Sequence, residues 1–157
     1  LYNHPKVKAM ISLTKGEGFG RPLLEFSAIN KPIITTKWSG HMDFLKEKKV
    51  GYINGTLEKI HPTAVVQNMI IPEASWYRPN LGDVGYLFNN VFEDYKSWLE
   101  KSKSQGFHSR KNFSFEVMKN QIENIFKKNL TPLPKKLELK IPNIKMPNKP
   151  KSNLKKV

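Results

Sequence analysis

Two glutamates eight positions apart, Glu17 and Glu25, stand with three alternating glycines, Gly16, Gly18 and Gly20, and Pro22 follows close behind. An ionised carboxylate only accepts hydrogen bonds, so it repels phosphate but suits the paired hydroxyls of a ribose or another sugar. Glycine lets a ligand approach the backbone closely and tolerates φ > 0. Together these residue types suggest a ligand built as sugar, diphosphate and ribose, with amides facing the phosphates and a carboxylate at each end. The same glutamates would also favour the positive end of a helix dipole with nothing bound, and spacing alone does not separate the two readings.

The elements that must position this stretch can be read from its flanks. Residues 7–13, Val-Lys-Ala-Met-Ile-Ser-Leu, have the apolar content of a buried strand. Pro22 is favoured in the first turn of a helix, where its missing N–H has no role. The order is therefore strand, glycine loop, helix, which aims loop amides at an anion above the strand's carboxyl end. Glu25, about one turn inside the helix, leans back toward the loop, because helical side chains tilt N-terminally. Asn30 suits a left-handed cap, Lys31 and Pro32 stop the helix, and residues 32–36 form a second strand, paired in parallel through a crossover.

The motif and its surroundings together resemble a known family. Glu17-Gly18-Phe19-Gly20, Glu25, Ala28 and Lys31-Pro32-Ile33-Ile34-Thr35-Thr36 are similar to the donor site of the retaining GT-B glycosyltransferases called "glycosyl transferases group 1", with its E-x7-E signature. Ser39-Gly40, Val50-Gly51-Tyr52-Ile53, Trp76-Tyr77-Arg78-Pro79 and Asn112-Phe113-Ser114-Phe115 follow in familiar order, so the likeness covers roughly residues 5–128. It implies a Rossmann-like parallel-sheet α/β domain, here partial, with C-terminal helices.

It also implies roles for individual residues. Glu17 would contact donor-sugar hydroxyls and is the candidate catalytic residue. Gly16, Gly18, Phe19 and Gly20 would face sugar and diphosphate, Arg21 and Leu23 would present amides near the phosphates, and Glu25 would hold the ribose. Ser39 and Gly40 would form part of the pocket wall. The likeness implies sugar transfer with retention from a nucleotide-diphospho-sugar, without a metal or other cofactor. The matching upstream sequence would contain an acceptor domain and a basic pair for the diphosphate. Since residue 1 is Leu, the expectation is a piece of a longer enzyme, inactive by itself.

Composition narrows the classes. The chain has 157 residues, 38% of them hydrophobic, enough for one domain with a core. No apolar run approaches the roughly 20 residues that cross a bilayer, so neither a span nor a signal peptide is expected. Without cysteine there is no disulfide framework and no thiolate nucleophile, in keeping with a cytoplasmic protein. The four histidines, at 4, 41, 61 and 108, lack ligand spacing, and no Asp-x-Asp occurs, which disfavours metal-dependent transfer. Ser39, His41 and Asp43 are neighbours in one turn and cannot converge as a triad.

The remaining chain divides at residue 130. Residues 1–129 read as the nucleotide-sugar-binding part. Within them a short helix is expected at 41–46, strands at 50–53 and 64–71 with a turn at Asn54-Gly55, and one helix over 81–104. In that helix Val84, Leu87, Phe88, Val91, Phe92, Tyr95, Trp98 and Leu99 recur at helical spacing, as a core or interface stripe. Trp76 reads as a packing anchor. Gly106 is expected to break the chain, and Ser114 to cap a second amphipathic helix whose apolar face would promote self-association. Residues 130–157 hold eight lysines and one acid, half of the net charge of +14, among prolines that prevent a long helix. They read as an extended or disordered basic tail, solubilising or in contact with an anionic membrane at its inner face. Nucleic acid is the less favoured partner, since few aromatics interleave the lysines. A non-catalytic basic module for acidic lipid or nucleic acid is the alternative to an enzyme.

Overall fold

The computed structural model describes residues 1–130. The expected basic tail therefore lies, apart from Leu130, outside the described residues. The fold is mixed α/β. A three-stranded parallel sheet is built from β1 (Met10–Ser12), β2 (Ile33–Thr36) and β3 (Gly51–Ile53), in the order β1-β2-β3. The register pairs Met10 with Ile33 and Ile34 with Gly51.

Strand β2 is central, and Ile33, Ile34, Thr35 and Thr36 are all buried. Successive strand side chains point to opposite faces, which divides the core in two. Ile33 joins Leu23, Phe26, Phe44, Leu45 and Val50 on one face, beneath α1 (Arg21–Ser27). Ile34 joins Ile53, Val91 and Trp98 on the other, beneath α2 (Leu81–Glu93) and the start of α3 (Tyr95–Asn112). Each fully buried side chain of this size contributes about 1.5–3 kcal/mol, so these two clusters hold the sheet between its helices.

The helix α1 leaves through Asn30, which adopts φ 63°, the expected left-handed exit. After β2 the chain makes a single 3-10 turn, Gly40–Asp43, where a helix over 41–46 was expected. The reason is that Phe44 and Leu45 plunge into the core and stop it, while the Lys46 N–H is taken by the buried Gln105 Oε1 at 2.9 Å.

The expected strand at 64–71 does not form. Its β-branched residues are bent by Pro62, which opens a 3-10 turn, Pro62–Ala64, and by Asn68 at φ 63°, leaving a single bridge between Val66 and Ile70. The strands of this region are instead β4 (Gly55–Lys59) and β5 (Ser75–Pro79), an antiparallel pair that joins Glu58 to Trp76 and Thr56 to Arg78. Asn54 and Gly55 thus connect two sheets rather than close a hairpin.

The expected single helix over 81–104 is two. Asp94, at φ −116° and ψ 50°, ends α2 and caps α3 by accepting from the Ser97 N–H at 3.3 Å. The kink divides the apolar stripe, so Val91 and Trp98 are buried while Phe88 and Phe92 remain exposed. Gly106 does not break the chain but lies inside α3, where α1 passes so closely that a Cβ would sit 2.0 Å from Asn30 Oδ1 and 2.9 Å from the Ser27 carbonyl. Ser114 caps α4 (Phe115–Asn129) as expected, accepting from the Val117 N–H at 3.3 Å. Phe115, Met118, Ile122, Ile125 and Phe126 on α4 are exposed. No helix among the described residues is long and apolar enough to cross a membrane.

Candidate functional site

Because β1 and β2 run parallel, the segments leaving their carboxyl ends emerge at the same edge of the sheet. One is residues 13–20, with the glycines; the other is residues 37–40. Thr36 Oγ donates to the Thr14 carbonyl at 3.2 Å and starts the junction. Ser39 completes it. Its Oγ donates to the Glu17 carbonyl at 2.6 Å and accepts from the Glu17 N–H at 2.9 Å, while the Gly40 N–H donates to the same carbonyl at 3.0 Å.

The contact is tight enough to dictate residue type at position 40. A Cβ on Gly40 would lie 2.0 Å from the Gly18 carbonyl oxygen. Ser39 itself holds φ 85° and ψ −171°, a region that is essentially glycine-only and costs about 1–3 kcal/mol for other residues. Its two hydrogen bonds to Glu17 offset that strain. The Ser39 and Gly40 assigned to the pocket wall therefore brace the glycine loop from behind.

The loop carries a second internal brace. Glu17 is half-buried, and its Oε1 accepts from the Gly20 N–H at 3.2 Å. Gly20, at φ 84°, delivers the chain into α1. The first helical bond runs from the Leu24 N–H to the Gly20 carbonyl, so the Arg21 and Leu23 amides come before any intrahelical acceptor. The Leu23 side chain is in the core, and Phe19, still 43% exposed, packs on Phe44 with ring centroids 5.2 Å apart. At Gly16 and Gly18 a Cβ would meet nothing within 4 Å. Neither glycine is required by packing within the described residues, and open space stands above both.

Glu25 reaches back one turn along α1, where its Oε1 accepts from Arg21 Nε at 2.8 Å. Both side chains are solvent-accessible, so the pair is readily exchanged for other partners. Glu25 also borders a cavity of about 310 Å3 with Ala28, Arg110 and Phe113. Lys37, leaving β2, is committed to Glu47, whose carboxyl is held below its ordinary value first by that hydrogen bond and then by the Lys37 charge. Among the described residues no group of three or more His, Asp and Glu could hold a metal ion.

Two supports were not anticipated from sequence. His41 is fully buried beneath the loop: its Nε2 lies 2.7 Å from the Thr36 carbonyl, and a Cβ on Gly20 would come within 2.9 Å of its own Cβ. Its Nδ1 is buried with no hydrogen-bond partner among the described residues. The other support is the β4–β5 pair, fastened to both loops: the Tyr77 N–H donates to the Lys15 carbonyl at 2.9 Å, and the Trp38 ring stacks on Tyr77 at 6.1 Å. Burial pushes the Tyr77 hydroxyl above its ordinary pKa, and this hydroxyl donates to the Ile53 carbonyl. The aromatic content of residues 76–77 was the available signal.

No family model and no curated protein matches the chain.

Proposed function

We propose that this chain supplies part of the donor site of a retaining GT-B glycosyltransferase, in a partial Rossmann-like domain that binds a nucleotide-diphospho-sugar. The observation that carries this reading is the free space above Gly16 and Gly18, on a loop braced from behind by Ser39 and Gly40. Glycines that no packing among the described residues requires, on a braced loop beside two carboxylates, are what close approach of a diphosphate to the backbone calls for.

In this reading Gly16, Gly18, Phe19 and Gly20 face sugar and diphosphate, and the Arg21 and Leu23 amides meet phosphate oxygens. The hydroxyls of the donor sugar go to Glu17 and those of the ribose to Glu25, which exchanges Arg21 for them. As the bond between the anomeric carbon and the diphosphate breaks, the loop amides stabilise the charge growing on the leaving phosphate. Because the loop is held before substrate arrives, that stabilisation carries little reorganisation cost. An acceptor hydroxyl attacking from the same face, its proton passing to the departing phosphate oxygen, gives retention. The complete enzyme would use a further domain for the acceptor.

Calorimetric titration with UDP, GDP and their sugars tests the assignment. Wild type is expected to bind one of the two series, and Glu25→Ala to weaken it by about tenfold or more. Undetectable binding in both proteins would overturn the donor-site reading. Tight, salt-sensitive binding to DNA that disappears when residues 131–157 are deleted would favour the basic binding module instead.

A further inference from the structure

A second cavity, of about 540 Å3, opens where β4 and β5 meet the start of the glycine loop. Its lining combines an aromatic face with cations. Strand alternation and the pairing of Glu58 with Trp76 place Glu58, Trp76 and Arg78 on one face of the pair. Lys15 Nζ stands 4.3 Å from the centroid of the Trp76 ring, and the exposed Arg78 guanidinium adds a second cation on that face.

The charges are available to a ligand. Among the described residues Lys15 forms no ion pair. Arg78 pairs with Glu58 at 3.2 Å, but its side chain is 73% exposed, so this pair is weak and open to exchange. The indole restrains the Lys15 ammonium beside the cavity while leaving its N–H donors to other acceptors. The ring adds a broad apolar face suited to the C–H face of a sugar, and Glu58 adds an acceptor for hydroxyls. An anion alone would not need the tryptophan, and a neutral sugar would not need the two cations.

We propose that this cavity is a second carbohydrate subsite, one that takes a sugar bearing an anionic group. The sugar lies against Trp76, its phosphate or carboxylate meets Lys15 and Arg78, and Glu58, released from Arg78, accepts from its hydroxyls. The backbone bond from Tyr77 to Lys15 sets the subsite one residue from the glycine loop. As a binding site it stands independently of the function proposed above.

The test is titration of the 15N-labelled chain, following the tryptophan indole signals, with glucose 6-phosphate, glucuronic acid, glucose and inorganic phosphate. The Trp76 signal is assigned by its loss in Trp76→Phe. At least one of the two anionic sugars is expected to shift it and to bind about tenfold more tightly than glucose or phosphate; which one does so identifies the anion as phosphate or carboxylate. Lys15→Gln should remove the preference over glucose, Trp76→Ala should weaken binding about tenfold, and Trp76→Phe should retain most of it, the two Trp76 variants being followed by their backbone amide signals. Failure of both anionic sugars to bind, equal binding of glucose and both anionic sugars, phosphate binding as tight as that of the preferred anionic sugar, or unchanged affinity in Lys15→Gln would each overturn the subsite. Should Trp76→Ala unfold, Lys15→Gln and Trp76→Phe decide alone. Anionic-sugar binding that persists while UDP and GDP fail to bind removes the donor-site reading and keeps the subsite, whereas the converse removes the subsite alone.

Discussion

Ser39 and Glu17, 22 residues apart, are joined by a reciprocal pair of bonds: the Ser39 hydroxyl donates to the Glu17 carbonyl and accepts from the Glu17 N–H. One side chain thereby satisfies both backbone groups of the residue proposed to meet the donor sugar. The pair holds even though Ser39 occupies a backbone region that favours glycine.

Strain and bonding at that position can be separated by two substitutions. Ser39→Ala keeps the unfavourable backbone and loses both bonds, which should destabilise the chain by about 1–2 kcal/mol. Ser39→Gly loses the same bonds but relieves the backbone, and after its greater chain entropy it should be more stable than Ser39→Ala by about 1 kcal/mol. Chemical denaturation ranks the two. An alanine variant as stable as the glycine variant would show that no strain is stored there.

At Gly106, helix propensity and packing make opposite forecasts. Propensity predicts that Gly106→Ala stabilises by about 1 kcal/mol. The overlap with Asn30 Oδ1 and the Ser27 carbonyl predicts instead a loss of about 1–3 kcal/mol. Packing should win, because the Ser27 backbone cannot move away without displacing α1. In an Asn30→Gly background, where glycine accepts the left-handed backbone and the nearer clash is gone, the loss should shrink. Thermal melts of the four proteins in that cycle check both statements.

Gln105 makes three bonds from a fully buried position. Its Nε2 donates to the Phe44 carbonyl at 2.8 Å and to Ser109 Oγ at 3.0 Å, and its Oε1 accepts from the Lys46 N–H. Gln105→Leu conserves approximate volume but strands two backbone groups, at a cost of about 2–4 kcal/mol. Urea unfolding should show a lower midpoint with an unchanged slope. A loss below about 0.5 kcal/mol would mean that water reaches those groups.

His108 predicts a pH dependence of stability. Burial, and then the Lys46 and Lys49 charges, hold its imidazole below the ordinary value, and the Asn112 side-chain amide lies 3.1 Å from its Nδ1, where it meets a lone pair only when that nitrogen is unprotonated. The unfolded chain therefore takes up the proton first. Stability falls as pH drops below about 6.5, and this contribution levels off below the folded-state value. Replacing the group, as in His108→Asn, should flatten the fall in melting temperature between about pH 7 and 5. Identical slopes for wild type and variant would remove His108 as its source.

The order strand, glycine loop, helix, strand was legible because each step has a local cause: apolar runs at residues 7–13 and 32–36, Pro22 in a first turn, Asn30 at a left-handed exit and Ser114 at a cap. Such signals act over a few residues, and α1, β2 and α4 formed where they pointed, whereas the buried strand expected over 7–13 is a three-residue edge strand, Met10–Ser12, with no residue fully buried, because only β2 has neighbours on both sides. Contacts between distant residues decided the rest. The apolar period runs unbroken through residues 81–104, yet Asp94 divides it, and its spacing to Ser97 was the one local hint. Gly106 sits inside a helix because α1 needs the space. Residues 64–71 are rich in β-branched side chains, but β4 and β5 took the pairing, since the aromatic rings of Trp76 and Tyr77 had Lys15 and Trp38 to pack on. By itself the sequence determined the local order that sets three glycines and two carboxylates between a strand and a helix. Only the tertiary structure decided that the loop is braced by Ser39 and Gly40, because parallel pairing of β1 and β2 brings two segments 22 residues apart to one edge of the sheet.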